Sequence, residues 1–353
     1  MASKLVVKLA EKLKPLPDPE TMTFGQTQTD HMLIVNYDPE HGWGTPEIKP
    51  YAPLVLDPMS SCFQYCPNVF EGMKAYLGPD GEPRLFRPQK NMERLARSAE
   101  RVALPVNALL VLIKRLGYSL YLRPTMIGTR PALGVAASDA ACLYVVVTPT
   151  GPYFKGKAHG ISLLAVSESV RAWPGGTGGH KLGLNYAPGF APQREAAKKG
   201  YEQILWLFGD RITEVGAMNV FAIVKRDDGA LDAFTPPLDG TILPGVTRSS
   251  VLALLDAHTK GKSLIPGVPA TQKIYTHEIP ITMSEIKVWS DEGKLLEIFG
   301  VGTAVAVAPG WDEEVVLPHH DGGLGPVGKG LFDHLMDIQS GRVEFEGWSV
   351  SVV

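Results

Sequence analysis

Glycine and proline constrain this chain more than any other feature of its sequence, with 37 glycines and 29 prolines among 353 residues. Together they form about a fifth of the chain, against a background of roughly 12% in average proteins. Proline fixes φ, whereas glycine allows sharp turns and a close approach of the backbone to a ligand. Because the glycines show no collagen-like period, the composition predicts a loop-rich globular protein of the α/β or α+β class.

The net charge bears on the classes of binding partner, and the chain length bears on the number of domains. Lys and Arg number 34 and Asp and Glu number 37, which gives a formal net charge of −3. Such a balance gives no support to a nucleic-acid or membrane-surface partner. A chain of 353 residues is long enough for two domains.

The three cysteines, Cys62, Cys66 and Cys142, are too few for a disulfide framework. They lack the spacing of a zinc site, so we expect ordinary thiols and no metal. The sequence contains no transmembrane helix pattern and no visible targeting segment. We therefore expect an intracellular protein, located in the cytoplasm or the mitochondrial matrix.

Hydrophobic periodicity indicates irregularly alternating strands and helices. This order favours an α+β fold in both halves. Residues 1–149 are expected to form a small N-terminal domain, 150–157 a linker, and 158–353 a larger domain. The predicted helices are Asn91–Val102, Ala108–Leu116, Pro188–Gly200, Arg248–His258 and Leu331–Gln339. The predicted strands include a hairpin over Tyr76–Phe86 and single strands at Ser119–Met126, Ala141–Thr148, Ile161–Val166, Gln203–Phe208, Val220–Lys225 and Gly302–Ala308. Alternation over Lys49–Tyr76 also favours strands.

One glycine motif near the C-terminus has the residue spacing of a nucleotide-binding loop. Gly323, Gly325 and Gly328 match the spacing GxGxxG, but Pro326 lies inside the motif and no strand-like run directly precedes it. Too few residues follow for a βαβ unit. We expect a turn before a helix there, without a nucleotide.

A second glycine-rich segment, RAWPGGTGGHKLGLNY over residues 171–186, surrounds Lys181. Partial desolvation in such a setting favours the neutral amine that Schiff-base chemistry requires. An exposed lysine after a flexible loop is the alternative.

Three further segments complement this lysine. Glu214 lies in ITEVGAMNVF, where a fixed carboxylate would keep a pyridine nitrogen protonated. Pro244-Gly245 precedes a predicted helix start near Thr247, which is a natural anion site. The Gly-Thr turn in FGVGTAV would also contact an anion. Each segment has an ordinary structural explanation alone, but together they meet the requirements of pyridoxal 5′-phosphate (PLP).

The motifs themselves resemble those of branched-chain amino-acid aminotransferases, which are PLP enzymes of fold type IV, and most closely the eukaryotic branch. The matching segments run in order along nearly the whole chain: VFEGMKAY, FRPQKNMERL, SLYLRPTMIGT, GPYF, RAWPGGTGGHKLGLNY, ITEVGAMN, TPPLDGTILPGVTR and GVGTA. The resemblance implies a two-domain α+β fold with the active site at the domain interface.

The resemblance also implies roles for individual residues. Lys181 is expected to hold the cofactor as an aldimine and then to move a proton between the substrate Cα and C4′. Tyr186 would contact the ring O3′ and Glu214 the pyridine nitrogen. The phosphate contacts are expected from Arg94, Arg171, Val246, Thr247 and Thr303.

The expected substrate contacts follow from the same resemblance. The Ala304 amide would bind the substrate carboxylate, and Arg123 is a candidate for the γ-carboxylate of a dicarboxylic substrate. Val135 is expected to reach the pocket of a neighbouring subunit, which implies a homodimer. The apolar pocket would be lined by Tyr65, Phe70, Gly72, Tyr121 and Tyr153.

The activity implied is that of a branched-chain-amino-acid transaminase. It exchanges the amino group of L-leucine, L-isoleucine or L-valine with 2-oxoglutarate, by a ping-pong mechanism, to give L-glutamate and branched 2-oxo acids. Three alternatives stay open: a D-amino-acid or (R)-amine transaminase of the same fold, a PLP-binding scaffold without turnover, and an unrelated structural protein.

Overall fold

The computed structural model describes residues 4–15, 18, 22, 24–106, 120–150, 160–303, 320 and 323–352. These residues form two compact units. The first comprises the described residues up to 150, together with 180–184 and 338–352, and the second comprises 160–179 and 185–337.

This division differs from the predicted contiguous domains in two short segments, 180–184 and 338–352, which lie with the first unit. Leu182 pairs with Val69 in a β-bridge, and the C-terminal strand Ser349–Ser351 pairs with Pro83–Phe86. Long-range pairing of this kind leaves no local sequence signal. The predicted linker lies almost entirely outside the described residues, so the predicted domain bounds stay a prediction.

The described part of the first unit contains a mostly antiparallel sheet of ten strands. The strands are β1 (Val6–Val7), β2 (His31–Asp38), β3 (Gly42–Trp43), β4 (Glu47–Pro50), β5 (Asn68–Phe70), β6 (Met73–Leu77), β7 (Pro83–Phe86), β8 (Leu120–Gly128), β9 (Ala141–Pro149) and β17 (Ser349–Ser351). Their order is β1-β4-β2-β9-β8-β6-β7-β17, with β3 paired to β2 and β5 paired to β8.

Two helices, α1 (Ser61–Tyr65) and α2 (Pro88–Arg101), accompany this sheet. Helix α2 buries Met92, Leu95 and Ala99 at helical spacing, and these side chains share a core with Leu182. The core therefore fixes the segment next to Lys181.

Between residues 160 and 337 the second unit is described except for residues 304–319, 321 and 322, and its described part contains two smaller sheets. One has the order β10 (Leu163–Val166), β11 (Gln203–Phe208), β12 (Arg211–Val215), and the other has the order β15 (Ile274–Glu278), β14 (Leu231–Thr235), β13 (Asn219–Lys225), β16 (Leu295–Val301). The helices are α3 (Phe190–Lys198), α4 (Val246–Thr259), α5 (Met283–Asp291) and α6 (Pro326–Gln339). Short 3₁₀ turns occupy Gly183–Asn185 and Ala187–Gly189. No helix among the described residues has the length and apolar character needed to cross a bilayer.

The α+β class and most predicted elements are confirmed. The structure contains the hairpin, the five predicted strands between residues 119 and 225, and helices α2, α3 and α4, with shifted ends. The prediction over Lys49–Tyr76 is wrong in part, because it missed the short helix α1. The predicted helix Ala108–Leu116 lies outside the described residues. The predicted strand Gly302–Ala308 is wrong at its start, since β16 ends at Val301, and its remainder lies outside the described residues.

The glycine motif of Gly323, Gly325 and Gly328 is explained by packing within the protein. Helix α6 begins at Pro326 rather than at Leu331, and the buried Glu297 carboxylate accepts hydrogen bonds from the Val327 and Gly328 amides at 2.8 Å each. A Cβ on Gly325 would lie 2.1 Å from Glu297 Cδ. The glycine therefore makes room for a carboxylate of the protein itself at the position where a phosphate would bind.

The buried Glu297 predicts a pH-dependent contribution to stability. Burial raises the pKa of Glu297, although the two amide bonds oppose this shift. A raised folded-state pKa gives stability that is present below the unfolded pKa and is lost as the pH rises through the folded pKa. We expect the unfolding free energy of wild type, relative to Glu297→Gln, to fall as the pH increases above about 4.3. Urea titrations of both proteins across this range measure the difference, and a pH-independent difference would contradict the assignment.

Candidate active site

The backbone around Lys181 is fixed on both sides by the first unit. The Phe70 amide donates a hydrogen bond to the Lys181 carbonyl at 3.1 Å, and the Lys181 amide donates to Ser98 Oγ at 2.9 Å. The Lys181 side chain is half-buried, with Nζ 5.0 Å from the centre of the Phe70 ring. The amine thus stands over an aromatic face on a rigid support.

A buried ion pair lies in the same unit. Arg94 Nε and Nη2 donate to Glu71 Oε1 and Oε2 at 2.7 and 2.8 Å, and both side chains are buried. Burial alone would raise the pKa of Glu71, but Arg94 and Lys181 stabilise the charged form more strongly, so this pKa lies below its usual value. Glu71 is therefore an anion at neutral pH.

The Phe70 ring near Lys181 also has a second cation beside it, Arg123, which in turn contacts Tyr121. The Arg123 guanidinium lies 4.7 Å from the Phe70 ring centre, and its Nη2 donates to Tyr121 Oη at 2.9 Å. A Cβ on Gly72 would lie 2.0 Å from the same Tyr121 oxygen. The absence of a side chain at Gly72 therefore allows Tyr121 to hold Arg123 in place.

In the second unit, Glu214 lies on β12 with a side chain almost completely buried. Its Oε1 accepts the Leu243 amide at 2.9 Å and the Asn219 side-chain amide at 3.3 Å, while Oε2 lies 2.9 Å from Arg171 Nε. These contacts fix the carboxylate from several directions. Buried carboxylates held in this way are suited to binding a cationic ring nitrogen.

Asn219 also connects Glu214 to the start of helix α4. Its side-chain amide donates to the Leu243 carbonyl at 2.9 Å. A Cβ on Gly245 would lie only 2.0 Å from the Asn219 Oδ1. Gly245 is the N-cap of α4 and supplies no side-chain acceptor, and the first turn, all of it described, carries no acidic residue. The amides of this helix start are therefore suited to an anion.

The remaining predicted site residues have varied positions. Arg171 lies against Glu214, and its guanidinium is 6.0 Å from the Tyr186 ring centre. Thr303 follows β16, and Val246 and Thr247 open helix α4. The side chains of Tyr65 and Val135 are exposed. Tyr153 and Ala304 lie outside the described residues.

Within each unit, the predicted site residues have the chemistry to bind one part of PLP. One unit has a supported amine and an arginine, and the other has a buried carboxylate and a helix start without an acidic side chain. An aldehyde, a phosphate and a pyridinium nitrogen are the groups that such residues bind.

Three residues outside the predicted set, Glu71, Asn91 and Asn219, each make buried contacts to a predicted site residue or to its partner. Glu71 stands inside the motif VFEGMKAY. An acidic residue between apolar residues and a glycine was the available signal for it. No comparable local signal identified the two asparagines.

The matching family profile and two similar relatives all describe aminotransferases. The family profile for amino-transferase class IV matches residues 68–290. The chain is 44% identical over 373 aligned positions to the mitochondrial branched-chain-amino-acid aminotransferase of Schizosaccharomyces pombe, covering 99% of this chain and 85% of the relative. It is 43% identical to the cytosolic branched-chain-amino-acid aminotransferase of Saccharomyces cerevisiae, over 99% and 96% of the two chains.

Solved structures share the fold. The branched-chain amino acid aminotransferase from Escherichia coli aligns with a TM-score of 0.69 and 25% identity, over 92% of this chain and 99% of that chain. The branched-chain amino acid aminotransferase from Thermobaculum terrenum, solved in its PLP form, aligns with a TM-score of 0.71 and 19% identity, over 93% of this chain and 100% of that chain. The family resemblance and the α+β two-domain fold expected from the sequence are thereby confirmed.

The contact between Gly245 and Asn219 gives a prediction for this site. Gly245→Ala would displace Asn219 from Glu214 and Leu243, and we expect it to lower the unfolding free energy by about 1–3 kcal/mol, as overpacking does. Gly134→Ala, which places its Cβ in open space, is the matched control with little expected change. Urea unfolding curves measure both variants, and equal stability of Gly245→Ala and wild type would contradict the packing.

Proposed function

The chain belongs to the branched-chain-amino-acid aminotransferase family, within the class IV aminotransferases, and on that premise we propose its substrates and the roles of its residues. It transfers the amino group of L-leucine, L-isoleucine or L-valine to 2-oxoglutarate, using PLP, in a ping-pong reaction. The products are the branched 2-oxo acid and L-glutamate. The relatives include a mitochondrial and a cytosolic form, and we propose one of these two compartments for this chain.

The setting of Lys181 is the observation that carries this proposal. Its backbone is held by Phe70 and Ser98, and its amine lies over an aromatic ring close to a buried carboxylate–arginine pair. A lysine held in this way has a fixed approach direction to an aldehyde carbon. PLP, when bound, supplies that aldehyde and a ring that withdraws electrons from the substrate Cα.

Each residue then has one task. Lys181 would hold the cofactor through its aldehyde, and its amine would move the proton between the substrate Cα and C4′. Glu214 holds a proton at the pyridine nitrogen, and Tyr186 donates its hydroxyl to O3′. Arg94, Val246, Thr247 and Thr303 bind the phosphate. Arg171 contributes through its contact with Glu214.

Substrate recognition uses residues of the first unit and one backbone amide. Phe70, Gly72 and Tyr121, together with Tyr65 and Tyr153, line the space for a branched side chain, and the Ala304 amide binds the α-carboxylate. Arg123 binds the γ-carboxylate of 2-oxoglutarate, because its guanidinium is held by Tyr121 at 2.9 Å. One pocket can thus accept both substrates in turn.

The proposal includes a homodimer of this chain. The exposed apolar side chains of the first unit include Val55, Phe63, Leu133 and Val135. Tyr65 Oη donates to the Leu133 carbonyl, which ties helix α1 to the loop carrying Val135. Apolar surface of this kind supports a homodimer in which Val135 reaches the neighbouring subunit.

Lys181→Ala is expected to abolish transamination. The variant lacks the amine that binds the aldehyde and moves the proton, so glutamate formation from 2-oxoglutarate with leucine, isoleucine or valine should fall at least about a thousandfold. Lys90→Ala, an exposed lysine on helix α2, is the control and should retain wild-type rates. Full turnover by Lys181→Ala, or a preference of wild type for D-alanine over L-leucine, would contradict the proposal.

Arg123→Gln is expected to separate the two substrates. Loss of the guanidinium should raise the KM for 2-oxoglutarate about tenfold or more, because a charge-assisted hydrogen bond is lost, with a change of less than about threefold for leucine. Arg194→Gln, an exposed arginine on α3, serves as the control. Initial-rate kinetics measure both constants. An equal rise for both substrates would show that Arg123 does not select the γ-carboxylate.

A further inference from the structure

Glu71 is a fully buried carboxylate that the proposed reaction does not use. It lies between Phe70, which supports the Lys181 amine, and Gly72, where a Cβ would collide with Tyr121. An ionised carboxylate away from water costs several kcal/mol unless its oxygens are fully paired. The partners that offset this cost therefore indicate what the residue does.

Three groups satisfy the carboxylate. Arg94 binds both oxygens through Nε and Nη2, Asn91 Nδ2 donates to Oε2 at 2.9 Å, and the Gly72 amide donates to Oε2 at 3.2 Å. Asn91 Nδ2 also lies 3.2 Å from the Gly72 carbonyl. The Glu71 carboxylate is thus held both by helix α2 and by the backbone that connects strands β5 and β6.

This geometry fixes the plane of the guanidinium. Arginine has a long flexible stem, and a two-point contact with a carboxylate removes rotation about its terminal bonds. Because the pair is buried, Arg94 has this orientation before any anion arrives, so a phosphate need not order the side chain on binding. We propose that Glu71 is a positioning residue that holds Arg94 in the orientation needed to bind the cofactor phosphate. This inference rests on the proposed function, which assigns Arg94 to that phosphate.

The test compares two ligands that differ only in the phosphate. The apoprotein, freed of cofactor, is titrated with PLP and with pyridoxal, and both Kd values are measured for wild type, Glu71→Gln, Arg94→Gln and the double variant. Glu71→Gln should weaken PLP binding by about tenfold to a hundredfold, the range typical of residues that orient a ligand-binding group. Pyridoxal affinity should stay within about threefold, and in the Arg94→Gln background the same change should have little further effect on PLP.

Two controls separate positioning from general damage. Glu93→Gln removes an exposed carboxylate next to Arg94 on the same helix and should leave both Kd values unchanged. Asn91→Ala keeps both charges of the pair but removes the amide that orients Glu71. It should weaken PLP several-fold without affecting pyridoxal, and it serves as the test if Glu71→Gln does not fold.

The outcomes are distinct. Equal or tighter PLP binding by folded Glu71→Gln, or equal weakening of PLP and pyridoxal, would overturn the inference and leave the proposed function intact. Where Glu71→Gln does not fold, unchanged PLP binding by Asn91→Ala overturns it in the same way. Failure of wild type to bind PLP would instead overturn the proposed function and this inference with it.

Discussion

Buried charge is the constraint on which the predicted site residues of each unit depend. In the first unit Glu71 pairs with Arg94, and in the second Glu214 pairs with Arg171, all with side chains almost completely removed from solvent. Such pairs are stable only when hydrogen bonds satisfy the remaining oxygens and protons. The surrounding backbone must therefore place amides and side-chain amides at fixed positions within each unit.

The glycine excess takes on a specific meaning in this context. A Cβ at Gly72 would collide with Tyr121, and a Cβ at Gly245 would collide with Asn219. In each case the neighbour is a polar side chain that contacts a predicted site residue. Glycine is thus required at these two positions by close approach rather than by a positive φ, which neither residue has. The composition indicated many such approaches without locating them.

Sequence periodicity predicted the elements whose signals are local. Strand β11 has the predicted bounds, and helix α2 includes most of Asn91–Val102. Features that depend on distant partners were missed. Helix α6 begins at Pro326 because Glu297, from another part of the chain, caps its first amides. The motifs identified Lys181 and Glu214, but the pairing of Glu71 with Arg94 is a tertiary contact that no single segment encodes.

The proposed function requires that Lys181 binds PLP covalently through its amine. Wild-type protein reconstituted with PLP, reduced with borohydride and digested, tests this by mass spectrometry of the peptides. We expect a phosphopyridoxyl group on the lysine of the segment GGHKLGLNY, at Lys181. A label at another lysine, or no label in protein that turns over, would contradict covalent binding at Lys181.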